Sequence, residues 1–355
     1  MKQHENYSLA YSLPLDATGK LLNSVQDAER RLEYLSQYGI GTADWQPLPR
    51  SQKFDLLERV VGETPLSEVR LQGGASAHMK EEFANPSGSH YDRVYFETIR
   101  HLESIGFLQP GDSLRDISSG SAGISLALIG TLLGYDVQIT VPDELPESRL
   151  QPIRQFGGKV IQAGTGYVPR ASEKQLTEIS SYRNDDTWKE TRPADRSCRS
   201  LLFSNGDERI CYLNHSENDL SPKAFGSIAN EVMAVMPNIS YLLLAEGNWT
   251  TISGIATAAR RLLPDITIIS YSGETQNGTT SNFGTTVPGV PLRFKDESLA
   301  DYSVIVTDFE RDQIRPSSQH LGNSALMGLF AAQRVLAKDP EANIVTIGYD
   351  LANRY

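Results

Sequence analysis

Short apolar runs alternate with stretches of helical periodicity from about residue 58 to the end of the chain. This alternation constrains the fold more than any other feature. Between Ser113 and Ile161 the order is strand, helix, strand, helix, strand. Neighbouring parallel strands need a crossover connection, usually a helix. The order therefore predicts a mostly parallel sheet whose faces are covered by helices.

The same patterns extend the prediction along the chain. A helix is expected at 24–38, inside a polar N-terminal stretch. Residues 165–210 lose the pattern and are interpreted as an insertion or mobile loop. Regular elements are expected again after it: helices at 222–236, 252–263 and 324–338, and strands at 239–245, 266–271, 303–306 and 343–348.

Length and charge narrow the class of protein. A chain of 355 residues favours two subdomains over one core. Lys+Arg is 33 and Asp+Glu is 44, a net charge of −11, which argues against nucleic acid or an anionic membrane as the main partner. No signal peptide and no run of 18 apolar residues is present, so a cytoplasmic location is expected.

The two cysteines, Cys198 and Cys211, are too few for a disulfide framework, and a metal site would need other ligands, so no metal is expected. Free thiols are favoured over a regulatory disulfide because the expected compartment is reducing.

Six segments, always in the same order, resemble one known family. They are VVGETPL (60–66), MKEEFANPSGSHYDR (79–93), LLGYDVQITVPDELPESRLQPIRQFGGKVI (132–161), NDLSPKAFGSIANEV (218–232), NFGTTVP (282–288) and IVTIGYDLANRY (344–355). Together they resemble the cysteine synthase branch of the fold-type II pyridoxal-phosphate enzymes, over about residues 60–355.

The resemblance implies an α/β fold of two subdomains, with mostly parallel twisted sheets covered by helices and a cleft between them. We expect an N-terminal extension at 1–54, a larger domain formed by 55–84 and 196–355, and a smaller domain at 85–195. The family resemblance also implies that the protein is a homodimer.

The segments depart from the family at positions that carry its chemistry. Tyr91 stands where the resemblance places the lysine that forms an imine with the cofactor, and a phenol cannot form one. Where the family has a glycine-rich phosphate cup, the chain reads Gly247, Asn248, Trp249, Thr250 and Thr251. Phosphate is therefore expected to bind poorly.

Two further motifs of the family are altered. The turn that receives the substrate carboxylate lacks its amide side chain, and the serine that faces the pyridine nitrogen is replaced. The expected substrate-binding residues are Ser118, Ser119, Gly120, Ser121, Ala122, Asn323 and Ser324.

These departures predict that no cofactor is used. The expected function is a cysteine synthase-like protein whose cleft binds or transforms an amino-acid-like or other small carboxylate without covalent pyridoxal phosphate, with Tyr91 and His90 as a candidate acid–base pair. One alternative is an inactive pseudoenzyme that acts through a protein partner. A weaker one keeps pyridoxal phosphate bound noncovalently.

Structural interpretations stand beside these functional ones. Tyr91 is equally explained as a side chain that fills the volume of the missing lysine and cofactor. Trp249 is either a plug in the former cup or a platform for a planar ligand. Lys80 and Lys223 are the candidates for a relocated imine-forming lysine, although a structural role is favoured for both.

Overall fold

The structure is a computed structural model. It describes residues 27–36, 48–118, 120–273, 275–276, 279–280, 292–315, 318 and 320–354. The strands are β1 (Leu66–Arg70), β2 (Ser76–Lys80), β3 (Ser113–Ile117), β4 (Asp136–Val141), β5 (Lys159–Gln162), β6 (Lys189–Thr191), β7 (Leu201–Ser204), β8 (Arg209–Tyr212), β9 (Tyr241–Ala245), β10 (Thr267–Gly273), β11 (Thr275–Gln276), β12 (Thr279–Thr280), β13 (Tyr302–Val306) and β14 (Ile344–Ile347).

The helices flank these strands. They are α1 (Asp27–Ser36), α2 (Arg50–Val60), α3 (Tyr91–Ser104), α4 (Ser121–Leu132), α5 (Glu147–Gln155), α6 (Tyr167–Arg183), α7 (Leu220–Val235), α8 (Thr250–Leu262), α9 (Asp308–Ile314) and α10 (Asn323–Leu336).

Two six-stranded sheets form the framework. One has the order β1-β2-β14-β9-β10-β13, and the other has the order β5-β4-β3-β8-β7-β6. In the first sheet only β1 pairs antiparallel to its neighbour, and in the second β6, β7 and β8 form the antiparallel part. The remaining pairs in both sheets are parallel, so the expected α/β class is confirmed with mixed rather than all-parallel sheets.

Each sheet has its own apolar core. The core of the first sheet packs α7, α8 and α10 against β9, β10 and β14. The core of the second sheet is centred on α4, in which ten of the twelve residues are buried. A helix that is apolar on all sides has to be covered on all sides, and α4 is therefore enclosed between the sheet and neighbouring helices.

The elements predicted between Ser113 and Ile161 and after position 220 lie within three residues of those observed. The prediction for 165–210 was wrong, because these residues form α6, the strands β6 and β7, and the first half of β8. The helix was missed because its sequence is mostly polar, and the strands because they are only three or four residues long.

Strands β7 and β8 belong to the same sheet as β3 although they lie beyond residue 195. The domain boundaries stay a prediction. Part of the N-terminal extension is also tied to the body of the protein, since the buried Arg31 side chain donates to the carbonyl oxygens of Val60 (2.6 Å) and Gly62 (2.7 Å). None of the described helices combines the length and hydrophobicity needed to cross a bilayer.

A buried network of charges joins β2, α3 and α7. The Arg93 guanidinium contacts the carboxylates of Glu82 (Nε–Oε2, 2.8 Å) and Glu231 (Nη1–Oε1, 2.6 Å). The Lys80 ammonium lies 2.6 Å from the other oxygen of Glu231. Burial opposes ionisation of Glu231, but the charges of Arg93 and Lys80 outweigh burial and lower the pKa of its carboxyl to about 2.

We predict that Glu231→Gln destabilises the protein at pH 7 by roughly 2–4 kcal/mol, because it leaves Arg93 and Lys80 short of one carboxylate. The folded-state pKa of Glu231 is depressed, so its contribution is fully present above pH about 4.5 and declines as the pH falls toward 2. Urea unfolding at pH 7 and pH 3 should therefore show a smaller difference between variant and wild type at pH 3.

The matched control is Glu97→Gln, which removes an exposed carboxylate from its pair with Arg100. It should change the free energy of unfolding by less than about 1 kcal/mol. An equal effect of the two substitutions would contradict the assignment of the buried network.

Candidate functional site

Five loops meet where parallel strands of the two sheets end. They follow β2, β3, β8, β9 and β14, and these strands run parallel to at least one neighbour in their sheets. Ligands of open α/β sheets bind outside the carboxyl ends of such strands. The loops carry, among others, His90, Tyr91, Ser118, Asn248 and Asp350.

The loop after β2 ends in two aromatic side chains at the start of α3. The His90 and Tyr91 rings have centroids 4.3 Å apart, and His90 stacks on Phe225 at 4.9 Å. Burial lowers the pKa of His90 to about 4. His90 is therefore neutral at pH 7, and its two ring nitrogens lie 3.4 Å from the hydroxyls of Ser89 and Thr251.

Tyr91 connects α3 with the other loops. Burial raises the pKa of its phenol to about 12, while a side-chain hydrogen bond with Asn248 opposes that rise. The carboxylates of Asp350 and Asp116 are near enough to raise the pKa further. Tyr91 is therefore a protonated donor at neutral pH, in contact with the loop that precedes α8.

The loop after β3 is organised by Ser118. Its hydroxyl accepts from the backbone N–H groups of Gly120 (2.9 Å) and Gly123 (2.7 Å). Helix α4 begins at Ser121. The N–H groups of Ser121 and Ala122 are in the first turn of α4 and have no intrahelical acceptor. Ser119 lies outside the described residues.

Two further side chains adjoin this loop. The Ser121 hydroxyl lies 3.2 Å from Asp350 Oδ2. Gly120 has φ +147°, and a Cβ added there would lie 2.8 Å from Cδ of the buried Arg149. A glycine is thus required both by the backbone conformation and by the close approach of Arg149.

The loop after β9 holds the residues predicted as a former phosphate cup. Asn248 Oδ1 accepts from the backbone N–H of Thr250 at 3.2 Å, and α8 begins there. Trp249 has φ +64°, which is strained for a side chain of this size. Its indole is 3% exposed, so it does not present an open stacking face. The Thr251 side chain is also buried, next to His90.

The remaining predicted residues are distributed as follows. Asn323 starts α10, and its Oδ1 accepts from Arg315 at 2.7 Å. Ser324 follows it and is buried. Segment 282–288 lies outside the described residues. Cys198 and Cys211 are buried free thiols in the core of the second sheet.

The two candidate lysines lie away from these loops. Lys80 is held by Glu231 and donates to the carbonyl oxygen of Thr64. Lys223 is exposed and lines a cavity of about 390 Å³ with Glu58 and Glu63. These positions support the structural interpretation of both side chains.

The structure adds a pair that the sequence interpretation missed. His215 is in the loop after β8. Its Nδ1 lies 3.1 Å from Asp116 Oδ2, and its ring centroid is 5.3 Å from that of Tyr91. Asp116 also accepts from the phenol of Tyr95 at 3.1 Å. Polar residues just after a predicted strand are the signal that would have found His215, but β8 had not been predicted.

A cavity of about 940 Å³ lies elsewhere, between α6 and the sheet that contains Arg115 and Thr140. We place the candidate site at the strand ends because acid–base groups and helix N-termini meet there.

Comparisons with known proteins identify the family that the chain resembles. The profile of the family described as "Pyridoxal-phosphate dependent enzyme" matches residues 57–301. Cysteine synthase B of Escherichia coli (strain K12) is 25% identical over 319 residues, covering 84% of this chain and 93% of that protein. Cystathionine beta-synthase of Apis mellifera is 24% identical over 308 residues, covering 81% of this chain and 57% of that protein.

Solved structures show the same fold. A hydrogen sulfide-producing enzyme from Fusobacterium nucleatum superposes with a TM-score of 0.70 at 22% identity, over 85% of this chain and 98% of that chain. An O-acetyl serine sulfhydrylase isoform from Entamoeba histolytica gives 0.69 at 20% identity, over 84% and 88%.

These relatives overturn two expectations from the sequence. The expected absence of a cofactor was wrong, because the matching family depends on pyridoxal phosphate. The expected cofactor-free cleft, with the pseudoenzyme as its alternative, was wrong for the same reason, since the relatives are active enzymes. The four altered motif positions had counted for more than the similarity of most of the chain to the family. The assignment of Tyr91 to the lysine position stays a prediction.

The turn 247–251 fits the phosphate end of this cofactor. The indole Nε1 of Trp249 is buried and has no hydrogen-bond partner within the described chain. A buried donor without an acceptor is costly, and a phosphate oxygen would satisfy it. The dipole of the 13-residue α8 favours an anion at its N-terminus. The Lys295 ammonium, which also pairs with Glu297, lies 5.8 Å from the indole centroid.

We predict that two substitutions at Trp249 affect different properties, one the stability of the fold and the other the affinity for the cofactor. Trp249→Ala should lower the free energy of unfolding by about 3–5 kcal/mol, because it removes a buried indole. Trp249→Phe should cost about 1 kcal/mol or less, yet weaken the binding of pyridoxal phosphate roughly tenfold by removing the Nε1 donor. Isothermal titration calorimetry measures the affinity, and Trp188→Phe is the control. Unchanged affinity in Trp249→Phe would show that Nε1 does not meet the phosphate.

A second prediction concerns Gly120. L-Serine or O-acetyl-L-serine should raise the melting temperature of the wild type by binding at the start of α4. Gly120→Ala should abolish this shift, because the new Cβ displaces Arg149 and distorts the turn. Gly111→Ala is the matched control, since Gly111 has φ +91° and open space around it. Equal shifts of the melting temperature in both variants would exclude this turn as the binding site of the amino acid.

Proposed function

Because the chain belongs to the pyridoxal-phosphate dependent enzyme family, we propose that it is an enzyme that uses this cofactor to act on an amino acid with a leaving group on its β-carbon. The proposal draws on relatives named cysteine synthase and cystathionine beta-synthase. The proposed reaction is elimination or replacement of the β-substituent.

One observation carries the proposal: Tyr91 links two helix N-termini. Its phenol is close enough to Asn248, in front of α8, for a hydrogen bond, and it lies near Asp350, which contacts Ser121 at the start of α4. Each N-terminus favours an anion. A phosphate at one and a carboxylate at the other would place the reacting carbons beside Tyr91.

The residues that hold the cofactor follow from this arrangement. Gly247, Asn248, Trp249, Thr250 and Thr251 hold the phosphate end. When bound, pyridoxal phosphate supplies an electron sink for negative charge at the substrate α-carbon. Ser324 or Asn323, at the start of α10, would hold the ring nitrogen, as the family resemblance implies.

The substrate is held by its carboxylate at the turn formed by Ser118, Gly120, Ser121 and Ala122. The N–H groups of Ser121 and Ala122 donate to it, and the buried Arg149 guanidinium adds positive charge behind Gly120. Tyr91 remains protonated at neutral pH and is therefore the candidate proton donor to the leaving group.

The wider setting is also a proposal. Small carboxylates suit the cleft better than polyanions, because the net charge is −11. A homodimer in the cytoplasm is the state that the family resemblance and the sequence favour.

The experiment measures binding first and turnover second. Pyridoxal phosphate should bind with one site per chain, and O-acetyl-L-serine with sulfide should then yield cysteine, or pyruvate without sulfide. Tyr91→Phe should lower kcat by roughly 10²-fold or more, because it removes the proton donor. Tyr135→Phe, outside the cleft, is the control. A wild type that neither binds the cofactor nor converts any serine or cysteine derivative would contradict the proposal.

A further inference from the structure

The imidazole of His215 is oriented by a carboxylate. Its Nδ1 lies 3.1 Å from Asp116 Oδ2, and the backbone N–H of His215 donates to the same oxygen at 3.1 Å. An ionised carboxylate only accepts hydrogen bonds, so Nδ1 carries the proton and the lone pair of the neutral ring is on Nε2. A histidine held in one tautomer by a carboxylate is the arrangement of a general base.

The Nε2 atom of His215 makes no hydrogen bond to the described residues, although the side chain is only 10% exposed. The ring meets Tyr91 edge-on at an interplanar angle of 87°, which places it beside the candidate proton donor.

His90, the other histidine beside Tyr91, is less suited to this role. Its ring is enclosed by Phe225 and Tyr349, with centroids at 4.9 Å and 5.1 Å. Its nitrogens face hydroxyl groups, and no carboxylate among the described residues is hydrogen-bonded to the ring. Burial also lowers the pKa of His90 to about 4, so it is a weak base.

We infer that His215 is the base that removes the α-proton of the substrate and that Asp116 is its positioning residue. This inference rests on the proposed function and deepens it. In an elimination, the Cα–H bond breaks and its proton passes to Nε2. The electron pair of that bond forms the Cα–Cβ double bond, and the β-substituent leaves with its own bonding pair. The Nδ1–H of the resulting imidazolium remains hydrogen-bonded to the Asp116 carboxylate.

Several titratable groups surround His215 and will shape any pH profile. Asp116 faces it from β3. Tyr91 and Tyr95 face it from α3, with ring centroids at 5.3 Å and 5.9 Å. His90 is near enough for the charges of the two histidines to interact.

Three measurements test the role of His215. In His215→Gln, exchange of the substrate α-proton with deuterium oxide and kcat should each fall roughly 10²–10⁴-fold. KM should stay within about threefold, because binding groups are retained. Nitrogen-15 NMR of wild-type holoenzyme, recorded at a pH where the His215 ring is neutral, should show its proton on Nδ1, and Asp116→Asn should change this tautomer and lower kcat.

The matched control is His101→Gln. His101 also lies 2.9 Å from a carboxylate, that of Asp195, but on the surface away from the cleft. It should leave proton exchange and kcat unchanged. Circular dichroism of each variant separates loss of the base from loss of the fold, and the wild-type tautomer does not depend on any variant folding.

The outcomes separate this inference from the function on which it rests. A wild type that binds pyridoxal phosphate and turns over, with His215→Gln equally active, overturns the role of His215 alone. A proton on Nε2 in the wild type also overturns it. A wild type without cofactor binding or turnover overturns the proposed function instead, and the tautomer still reports on the Asp116–His215 pair.

Discussion

The buried ion network of Glu82, Arg93 and Glu231 is the constraint on which the site depends. It fixes α3 against α7 and against the end of β2. Since Arg93 lies two residues after Tyr91, the same contacts fix where the first turn of α3 presents its side chains. Breaking one partner of a buried charged pair leaves an uncompensated charge. The network therefore holds the position of Tyr91 much more firmly than surface contacts would.

The site then follows from sheet geometry. Parallel strands bring their carboxyl ends to one edge, so residues far apart in sequence meet there. Asp116 and His215 are 99 positions apart, and Ser121 and Asp350 are 229 apart, yet each pair is within hydrogen-bond distance. In the proposed function, two helix N-termini supply the anion sites without requiring a cluster of cationic side chains. The acid–base groups between them do not include the two lysines that the sequence had offered.

Regular elements were predictable because burial imposes a period on the sequence. The apolar runs of β3 and β9 and the small, apolar face of α4 were found within a few residues. Polar α6 and short β7 and β8 were not found, because their burial comes from tertiary neighbours. His215 was missed for that reason. The family resemblance was correct, but the conclusion that the cofactor is absent was wrong.

The sequence by itself determined the α/β class, the family and the positions of the turns after β3 and β9, because these depend on local periodicity and on short motifs. Only the tertiary structure decided what those turns contain. It buried the Trp249 indole without a partner for Nε1, and it placed Arg149 behind Gly120. It also turned His215 toward Asp116. Such contacts join residues from elements that are far apart in the sequence, and no local pattern in a single sequence encodes the distance between them.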